Sequence, residues 1–199
     1  MDEHKIEDWE KISSLEVVDC DILRVRRDRS RSPRTGRVHD FHVLEIPNWI
    51  NIVPVTTEGA VVLIRQFRHG TEESALEIPG GAIDSAEEAP LAAARRELLE
   101  ETGYEAETLI ALGSVAPNPA IQNNRCYSFL ALEARPTGAQ ELDAGEDIAV
   151  EEVPFASVPE LIRGGTINHG LVVVAFYLLD TYLRTNPISV LKPQEQTQK

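Results

Sequence analysis

The segment at residues 90–104, PLAAARRELLEETGY, constrains the fold of this chain more than any other stretch. Pro90 suits the first position of a helix, because the missing N–H of proline has no helical partner there. Gly103 suits the position just after a helix, where the backbone often turns left-handed. These signals predict a helix over Pro90–Thr102. At about 100° per residue, one face carries the predicted core stripe: Leu91, Ala94, Leu98 and Thr102.

A second face of the predicted helix is acidic. Glu97, Glu100 and Glu101 lie three and four residues apart, so their side chains are neighbours. Like charges at these spacings cost about 0.2–0.5 kcal/mol per pair, and only Glu100 has a basic residue, Arg96, one turn away. The spacing alone fits either a solvated acidic surface or a site for a divalent cation such as Mg²⁺, which prefers oxygen ligands.

Residues upstream extend this pattern into a longer motif. Gly81 is followed after six residues by Glu88, and after seven more by RELLEETGY at residues 96–104. The series resembles the Nudix box of the Nudix hydrolase family, in which the first gap has five residues. We place the extra residue in the loop at 82–87, where insertions are tolerated. Taking Glu87 as the motif glutamate would lengthen the second gap instead.

The resemblance implies an α/β fold, the Nudix α/β/α sandwich with a mixed sheet, and hydrolysis of a nucleoside diphosphate linked to another moiety. It implies four ligands for Mg²⁺ or Mn²⁺: Glu97, Glu100, Glu101 and the carbonyl of Gly80. Glu100 is also a candidate catalytic residue. Bound metal ions would stabilise the charge that develops on phosphate oxygens. Four motif residues are expected to have structural roles: Gly81, Glu88, Arg96 and Gly103. Among them, Arg96 is expected to pair with Glu88.

Outside the box, VVLIRQFRHG and ALEIPGGAID resemble the ADP-ribose pyrophosphatases, and residues 15–180 can be laid along that group. Arg68 matches an arginine that contacts the diphosphate, although an ordinary surface arginine would look the same. Glu77 lies where the group often has a polar contact near the metals. Pro119 lies where members carry a proline after the box. The resemblance thus implies a small-molecule nucleoside diphosphate substrate.

The N-terminal residues resemble a three-stranded sheet that, in this group, exchanges with a second subunit and helps to build the substrate site. Residues 15–46 correspond to it, which implies a homodimer. Phe41 either stacks on the base, as its position in the group implies, or packs in the core. We therefore expect an N-terminal β appendage at 1–46, a Nudix domain at 47–186 and a flexible tail at 187–199.

A general base is expected from the loop ELDAGED, which resembles the mobile loop that supplies a glutamate in this group. The alignment puts Glu146 at the base position, with Asp143 and Asp147 as competitors. Acidic loops are also common on protein surfaces, so a solvated loop is the alternative.

Composition limits the other function classes. The net charge of −14 argues against a general nucleic-acid binder, which is usually basic. Residues 24–37 hold seven arginines, which fit a solvated hairpin, an anion-contacting arm or an RNA patch. Cys20 and Cys126 are expected to be idle thiols. No apolar run is long enough for a membrane span, and the charged N-terminus is no secretory signal, so we expect a cytoplasmic protein.

The remaining pattern predicts the order of elements. Two hairpins are expected, one from residues 15–29 with 37–46 and one from INIVPV with AVVLIRQF. Further strands are expected at TLIALGSV, NRCYSFLALEA and IAVEEVPF. Helices are expected at SVPELIRGG and HGLVVVAFYLLDTYLR. The histidines are interpreted as surface or packing residues: His39, His42, His69 and His169.

These observations predict a Mg²⁺-dependent pyrophosphatase for ADP-ribose or a related nucleoside diphosphate sugar. One alternative is a Nudix hydrolase of diadenosine polyphosphates, (d)NTPs or capped RNA. The other is a non-catalytic nucleotide-sensing domain.

Overall fold

A computed structural model describes residues 6–85 and 87–191 of the chain. These residues form two compact units. The first contains the described part of residues 1–47 together with 116–125, and the second contains 48–115 together with the described part of 126–199.

The first unit is an antiparallel three-stranded sheet in the order β1-β2-β3, built from β1 (Glu10–Cys20), β2 (Leu23–Arg31) and β3 (Val38–Glu45). The prediction of a single strand over residues 15–29 is wrong, because the chain reverses at Asp21–Ile22 and Cys20 pairs with Leu23. That turn contains one common turn residue, Asp21, but no glycine or proline, so its local signal is weak. The SPRTG turn joins β2 to β3, with Gly36 at φ 68°.

The second unit is built on a seven-stranded mixed sheet. Its path is β10-β5-β4-β9-β7, with β6 paired to β5 and β8 to β9. β4 and β9 are parallel and the other pairs are antiparallel. The strands are β4 (Trp49–Thr56), β5 (Ala60–Arg68), β6 (Glu73–Glu77), β7 (Tyr104–Glu105), β8 (Thr108–Val115), β9 (Cys126–Pro136) and β10 (Ile148–Pro154). The sequence pattern did not reveal β6 and β7.

Helices cover both faces of this sheet. They are α1 (Pro90–Thr102), α2 (Val158–Arg163) and α3 (Gly170–Leu183). Because side chains alternate along a strand, Ile50 and Ile52 of β4 belong to the hydrophobic cluster that α1 covers. Val53 and Val55 belong to the cluster that α3 covers. The predicted α/β/α sandwich with a mixed sheet is therefore confirmed.

Helix α1 has the predicted bounds, and Gly103 follows it at φ 70° with its N–H donated to the carbonyl of Leu99. The predicted core stripe is wrong at one position, since Leu91 in the first turn is 42% exposed. The buried arc is also wider than predicted, because it includes Ala93, Glu97 and Glu101. Two of the three acidic side chains thus lie on the buried side of the helix.

The end of the described chain packs on the second unit. Residues Ser189–Leu191 form a short 3₁₀ turn, and Leu191 is buried in the cluster that α3 covers. This turn therefore belongs to the domain, although the tail was expected from residue 187. Residues 192–199 lie outside the described part of the chain. Among the described residues, no helix has the length and apolar character needed to cross a membrane.

Candidate active site

The segment that follows β6 is fixed along the beginning of β4. Ile52 donates its N–H to the carbonyl of Pro79, and Ile50 donates to the carbonyl of Gly81, both at 2.9 Å. Ile83 then donates to the carbonyl of Asn48 at 2.8 Å. These backbone hydrogen bonds hold the IPGGAI segment as an extra edge beside β4.

Two glycines of this segment allow close contacts, Gly81 with Glu97 of α1 and Gly80 with β4. A Cβ atom on Gly81 would lie 2.5 Å from Oε1 of Glu97, so that carboxylate would have to move away. A Cβ atom on Gly80 would collide with the carbonyl oxygen of Ile50. The N–H of Gly80 also donates to Oε2 of Glu101 at 2.7 Å. Glycine is therefore required at position 80, and at position 81 it lets the backbone lie directly against the carboxylate of Glu97.

Glu97 and Glu101 are buried carboxylates, with 8% and 3% of their surface exposed. Burial raises the pKa of Glu97 to about 7 against the opposing effect of Arg96, and neighbouring Glu100 and Glu146 raise it further. Burial likewise raises the pKa of Glu101 to about 8, with contributions from the charges of Glu97 and Glu146. Both shifts mean that the negative charge at this site is not fully compensated by the protein.

Arg96 holds the acidic cluster from its solvent side. Its guanidinium donates to Glu88 at 3.1 Å, to Glu97 at 2.9 Å and to Glu100 at 3.0 Å. Hydrogen bonding to Glu88 is the main cause that raises the pKa of Arg96 and, in turn, lowers the pKa of Glu88. The predicted contact between Arg96 and Glu88 is thus present, whereas Glu87 is an exposed residue. Ala86, within the loop expected to hold the extra residue, lies outside the described residues.

The acidic residues fit a hard divalent cation. Among residues 6–85 and 87–191, no group of three or more acidic, histidine or cysteine side chains is already arranged as a metal site. Glu97 and Glu101 nevertheless present desolvated oxygen ligands whose charge is only partly compensated, and Glu100 is held beside them through Arg96. A cation with oxygen preference would relieve this repulsion.

A second cluster of charged groups centres on Glu77, at the end of β6. This residue is 2% exposed. Arg68 donates to both of its oxygens at 2.8 Å, and Nδ1 of His169 lies 2.6 Å from Oε2. Burial by itself would raise the pKa of Glu77, but the hydrogen bonds from Arg68 and His169 outweigh it and lower the pKa to about 2. Glu77 is therefore an ionised, buried anchor for two basic side chains.

One cavity of about 320 Å³ connects these features. Its size is within the range of small-molecule sites, which is about 300–1,000 Å³. The lining residues come from β4, β5, the glycine segment and the start of α3: Trp49, Ile50, Asn51, Arg68, Gly80, Gly81, Ala82, His169 and Leu171. The two glycines that touch the buried carboxylates thus share a cavity with the two basic groups on Glu77.

The loop between β9 and β10 is fixed to the C-terminal end of α1. The side-chain amide of Gln140 donates to the carbonyls of Glu101 at 2.6 Å and Ile148 at 3.1 Å. The N–H of Glu141 donates to the carbonyl of Glu100 at 2.9 Å. The charge of Glu146, further along this loop, acts on Glu97, Glu101 and Arg68. The loop therefore brings an additional carboxylate to the acidic cluster.

In the first unit, Phe41 is 43% exposed and contacts Trp9 edge to face at 5.2 Å between ring centroids. Core packing of Phe41, one of its two predicted interpretations, is therefore wrong for the described chain.

The arginine-rich segment is largely neutralised, which weakens the interpretation as an RNA patch. Four of its arginines form ion pairs with acidic residues: Arg24 with Glu16, Arg26 with Asp28, Arg29 with Asp40, and Arg31 with Glu10.

His169 is the site residue that sequence reasoning missed. It was interpreted as a surface or packing residue, yet its ring contacts Glu77 and lines the cavity. The two residues are 92 positions apart in the chain, so no local spacing could have connected them.

Comparison with known proteins agrees with this fold and identifies the family. The NUDIX domain profile matches residues 48–173. An ADP-ribose pyrophosphatase of Bacillus subtilis is 30% identical over 171 residues, covering 85% of this chain and 89% of the relative. A GDP-mannose pyrophosphatase of Escherichia coli K12 is 35% identical over 142 residues, covering 66% and 70%. The crystal structure of an ADP compounds hydrolase aligns with a TM-score of 0.80 over 92% of this chain and 98% of that one, at 22% identity.

The fold and site define a hydrolase that acts on pyrophosphate bonds. The chain belongs to the Nudix family.

Proposed function

We propose that this protein is a Mg²⁺-dependent pyrophosphatase, which hydrolyses ADP-ribose or a related nucleoside diphosphate sugar to a nucleoside monophosphate and a sugar phosphate. The observation that carries the proposal is the cavity that Arg68 shares with Gly80 and Gly81, the two glycines that contact the buried carboxylates of Glu101 and Glu97. The similarity to ADP-ribose pyrophosphatases over more than four fifths of the chain supports this substrate class.

In this proposal, Glu97, Glu100, Glu101 and the carbonyl of Gly80 hold Mg²⁺ or Mn²⁺. When bound, such an ion supplies charge neutralisation for the diphosphate and a lower pKa for water. The raised pKa values of Glu97 and Glu101 support this assignment, because burial makes their ionised forms costly and a bound cation would offset that cost. The glycine segment keeps side chains out of the space next to these carboxylates.

The remaining residues of the proposed site act on substrate and water. Arg68 binds the diphosphate, and Glu77 keeps the guanidinium oriented through two hydrogen bonds. Glu146 accepts a proton from the water that attacks one phosphorus atom. The bond between that phosphorus and the bridging oxygen breaks, and the second phosphate leaves with the bridging oxygen. The electrostatic effect of Glu146 on Glu97 and Glu101 supports its place near the reaction.

We further propose a homodimer formed through the N-terminal sheet. Every residue of β1 is exposed, including apolar side chains of Ile12, Leu15 and Val17. Both hydrophobic clusters of the described chain consist of residues from the second unit. A small sheet without a core of its own needs another surface to cover its apolar side chains. Phe41, which is exposed on β3, remains the proposed base-stacking residue.

A substrate panel tests the proposed function. Purified protein with MgCl₂ is incubated with ADP-ribose, GDP-mannose, diadenosine polyphosphates and deoxynucleoside triphosphates, and products are separated by ion-exchange chromatography. We expect the highest kcat/KM for a nucleoside diphosphate sugar, with release of the nucleoside monophosphate. Preference for a triphosphate or a dinucleoside polyphosphate would contradict the substrate class. No hydrolysis of any compound with Mg²⁺ or Mn²⁺ would contradict catalysis itself.

A matched pair of variants links that activity to the site. Glu101→Gln should lower turnover at least about 100-fold. Glu107→Gln, an exposed glutamate shortly after the same helix, should retain wild-type turnover.

A further inference from the structure

His169 has no part in the proposed reaction described so far, although it lines the same cavity as Arg68. It is the residue immediately before α3, with an extended backbone at φ −70° and ψ 119°. Its side chain is 38% exposed, so the ring is reached by solvent while one edge is held by the protein.

The contact with Glu77 determines how the ring is presented. Glu77 is buried and ionised, and an ionised carboxylate only accepts hydrogen bonds. Nδ1 of His169, at 2.6 Å, must therefore carry the proton of this contact. Nε2 is the remaining ring nitrogen, and within the described residues it has no hydrogen-bond partner. The protein thus fixes one side of the imidazole and leaves the other available.

The surrounding structure holds this arrangement in place. The side-chain amide of Asn51 donates to the carbonyl of Leu171 at 3.3 Å, which ties the start of α3 to β4. Ile167, two residues before His169, is 1% exposed. The carbonyl of His169 accepts the N–H of Val173 at 3.1 Å in the first turn of the helix. A side chain positioned by rigid elements loses little conformational entropy when it binds a ligand.

One buried carboxylate therefore orients two basic groups toward one cavity. Arg68 is permanently cationic, and His169 becomes cationic when Nε2 gains a proton. Glu77 neutralises one of these two positive charges, and Glu101 and Glu146 also act on Arg68. With His169 protonated, the Arg68–Glu77–His169 group carries one net positive charge and offers donors from two side chains. This combination fits the non-bridging oxygens of a diphosphate.

We propose that His169 is a second diphosphate-binding residue, which donates a hydrogen bond from Nε2 to a non-bridging oxygen beside the one that Arg68 contacts. The inference deepens the proposed function and rests on it. It assigns Glu77 as the positioning residue that couples both contacts. A purely structural role for His169, in which it only stabilises Glu77 and the start of α3, makes different predictions.

Two substitutions separate these roles. His169→Asn retains an amide donor near the position of Nδ1 and removes Nε2. His169→Gln retains a donor near the position of Nε2. If Nε2 binds the diphosphate, the Asn variant should raise KM for the nucleoside diphosphate sugar about 10- to 100-fold, the value for a lost hydrogen bond to a charged group. The Gln variant should stay closer to wild type, and kcat should change less than KM in both.

The control is His69→Asn, because His69 contacts Phe67 on the β5–β6 hairpin and does not line the cavity. It should leave KM unchanged. Melting temperatures of all variants are measured alongside. A structural role predicts the opposite order, with the Asn variant active and the Gln variant both destabilised and impaired, and that order would overturn the proposal.

A binding measurement tests the proposal independently of turnover. Methylenediphosphonate, a non-hydrolysable diphosphate, is titrated with MgCl₂ into ¹⁵N-labelled protein, and histidine side-chain resonances are followed by NMR. The signals of His169 are assigned by their loss in His169→Asn. In the complex they should lie at the positions of a doubly protonated ring, with Nε2 shifted from its position in the free protein, whereas those of His69 should stay. Unchanged His169 signals at saturation would refute the inference.

These experiments distinguish failure of the inference from failure of the proposed function. Hydrolysis of nucleoside diphosphate sugars with unchanged KM in His169→Asn would reject the role of His169 and leave the function intact. No hydrolysis of any panel compound, together with the expected movement of the His169 signals, would support the binding residue and reject the function.

Discussion

The burial of Glu101 predicts that the metal-free protein loses stability as the pH rises. The pKa of this carboxyl is raised by burial from an ordinary value of 4.5 to about 8. The folded state therefore holds its proton more tightly than the unfolded state does. Stability from this group is fully present below about pH 4.5 and is lost as the pH rises through about 8. Glu97, with a pKa raised to about 7, acts in the same direction.

The size of the effect follows from the same values. One pKa unit corresponds to about 1.4 kcal/mol. The full pKa difference of Glu101 would therefore correspond to several kcal/mol of unfolding free energy. Part of that difference comes from repulsion with Glu97 and Glu146, so we expect removal of the Glu101 charge to change the stability by less than the full amount. We expect Glu101→Gln to raise the free energy of unfolding by on the order of 2–3 kcal/mol at pH 8.5 without metal, and to leave it nearly unchanged at pH 5. Glutamine can still accept the hydrogen bond from Gly80.

The assay is urea unfolding in EDTA at both pH values, followed by tryptophan fluorescence. Glu107→Gln is the control, because this exposed residue should show no difference between the two conditions. Added Mg²⁺ should stabilise the wild type more than Glu101→Gln, since bound ligand stabilises the folded state by mass action. A Glu101→Gln protein that is less stable than wild type at pH 8.5 in EDTA would refute the reasoning, because it would show that the buried charge is already compensated.

Three further changes test other parts of the site and assembly. Glu146→Gln should lower kcat by about 10²- to 10⁴-fold while the melting temperature stays unchanged; loss of activity in Asp143→Asn or Asp147→Asn instead would move the base to that residue. Gly81→Ala should lower turnover strongly and change the melting temperature little, because its Cβ would lie 2.5 Å from Oε1 of Glu97 and would displace that carboxylate rather than the backbone; a fully active variant would contradict the close approach. Leu15→Asp, on the exposed strand β1, should give monomers by light scattering, and an intact dimer would exclude this surface.

Local signals explain which parts of the fold could be predicted. The bounds of α1 follow from Pro90 and Gly103, which act within one turn of the helix ends. The turn at Asp21–Ile22 has only Asp21 as a signal, without glycine or proline, so the local pattern predicted β1 and β2 as one strand. The burial of α1 depends on how β4, β9 and the glycine segment surround it, and the sequence period alone placed Leu91 inside.

The same distinction holds for the candidate site. The acidic helix and the glycines lie within one motif, so their spacing was informative before the structure. The periodicity did not show that Glu97 and Glu101 are buried, and this burial is the source of their raised pKa values. The contact of His169 with Glu77 joins β6 to the start of α3, and only the tertiary fold brings them together.

The pKa values of two buried glutamates are shifted in opposite directions, which indicates that they have different roles in the site. Glu77 is ionised with a pKa of about 2, because Arg68 and His169 supply more hydrogen bonding than burial takes away. Glu101 has a pKa of about 8, because its one hydrogen bond from Gly80 does not offset burial and neighbouring negative charge. The first arrangement is complete in the protein alone and presents basic groups to the cavity. The second is stabilised by an added cation.

A diphosphate with a divalent cation complements both groups at once, since its oxygens can bind Arg68 and His169 while the cation binds the carboxylates. Substrate and metal are therefore expected to bind with positive coupling, and the affinity for methylenediphosphonate should rise with Mg²⁺ in wild type and lose that dependence in Glu101→Gln.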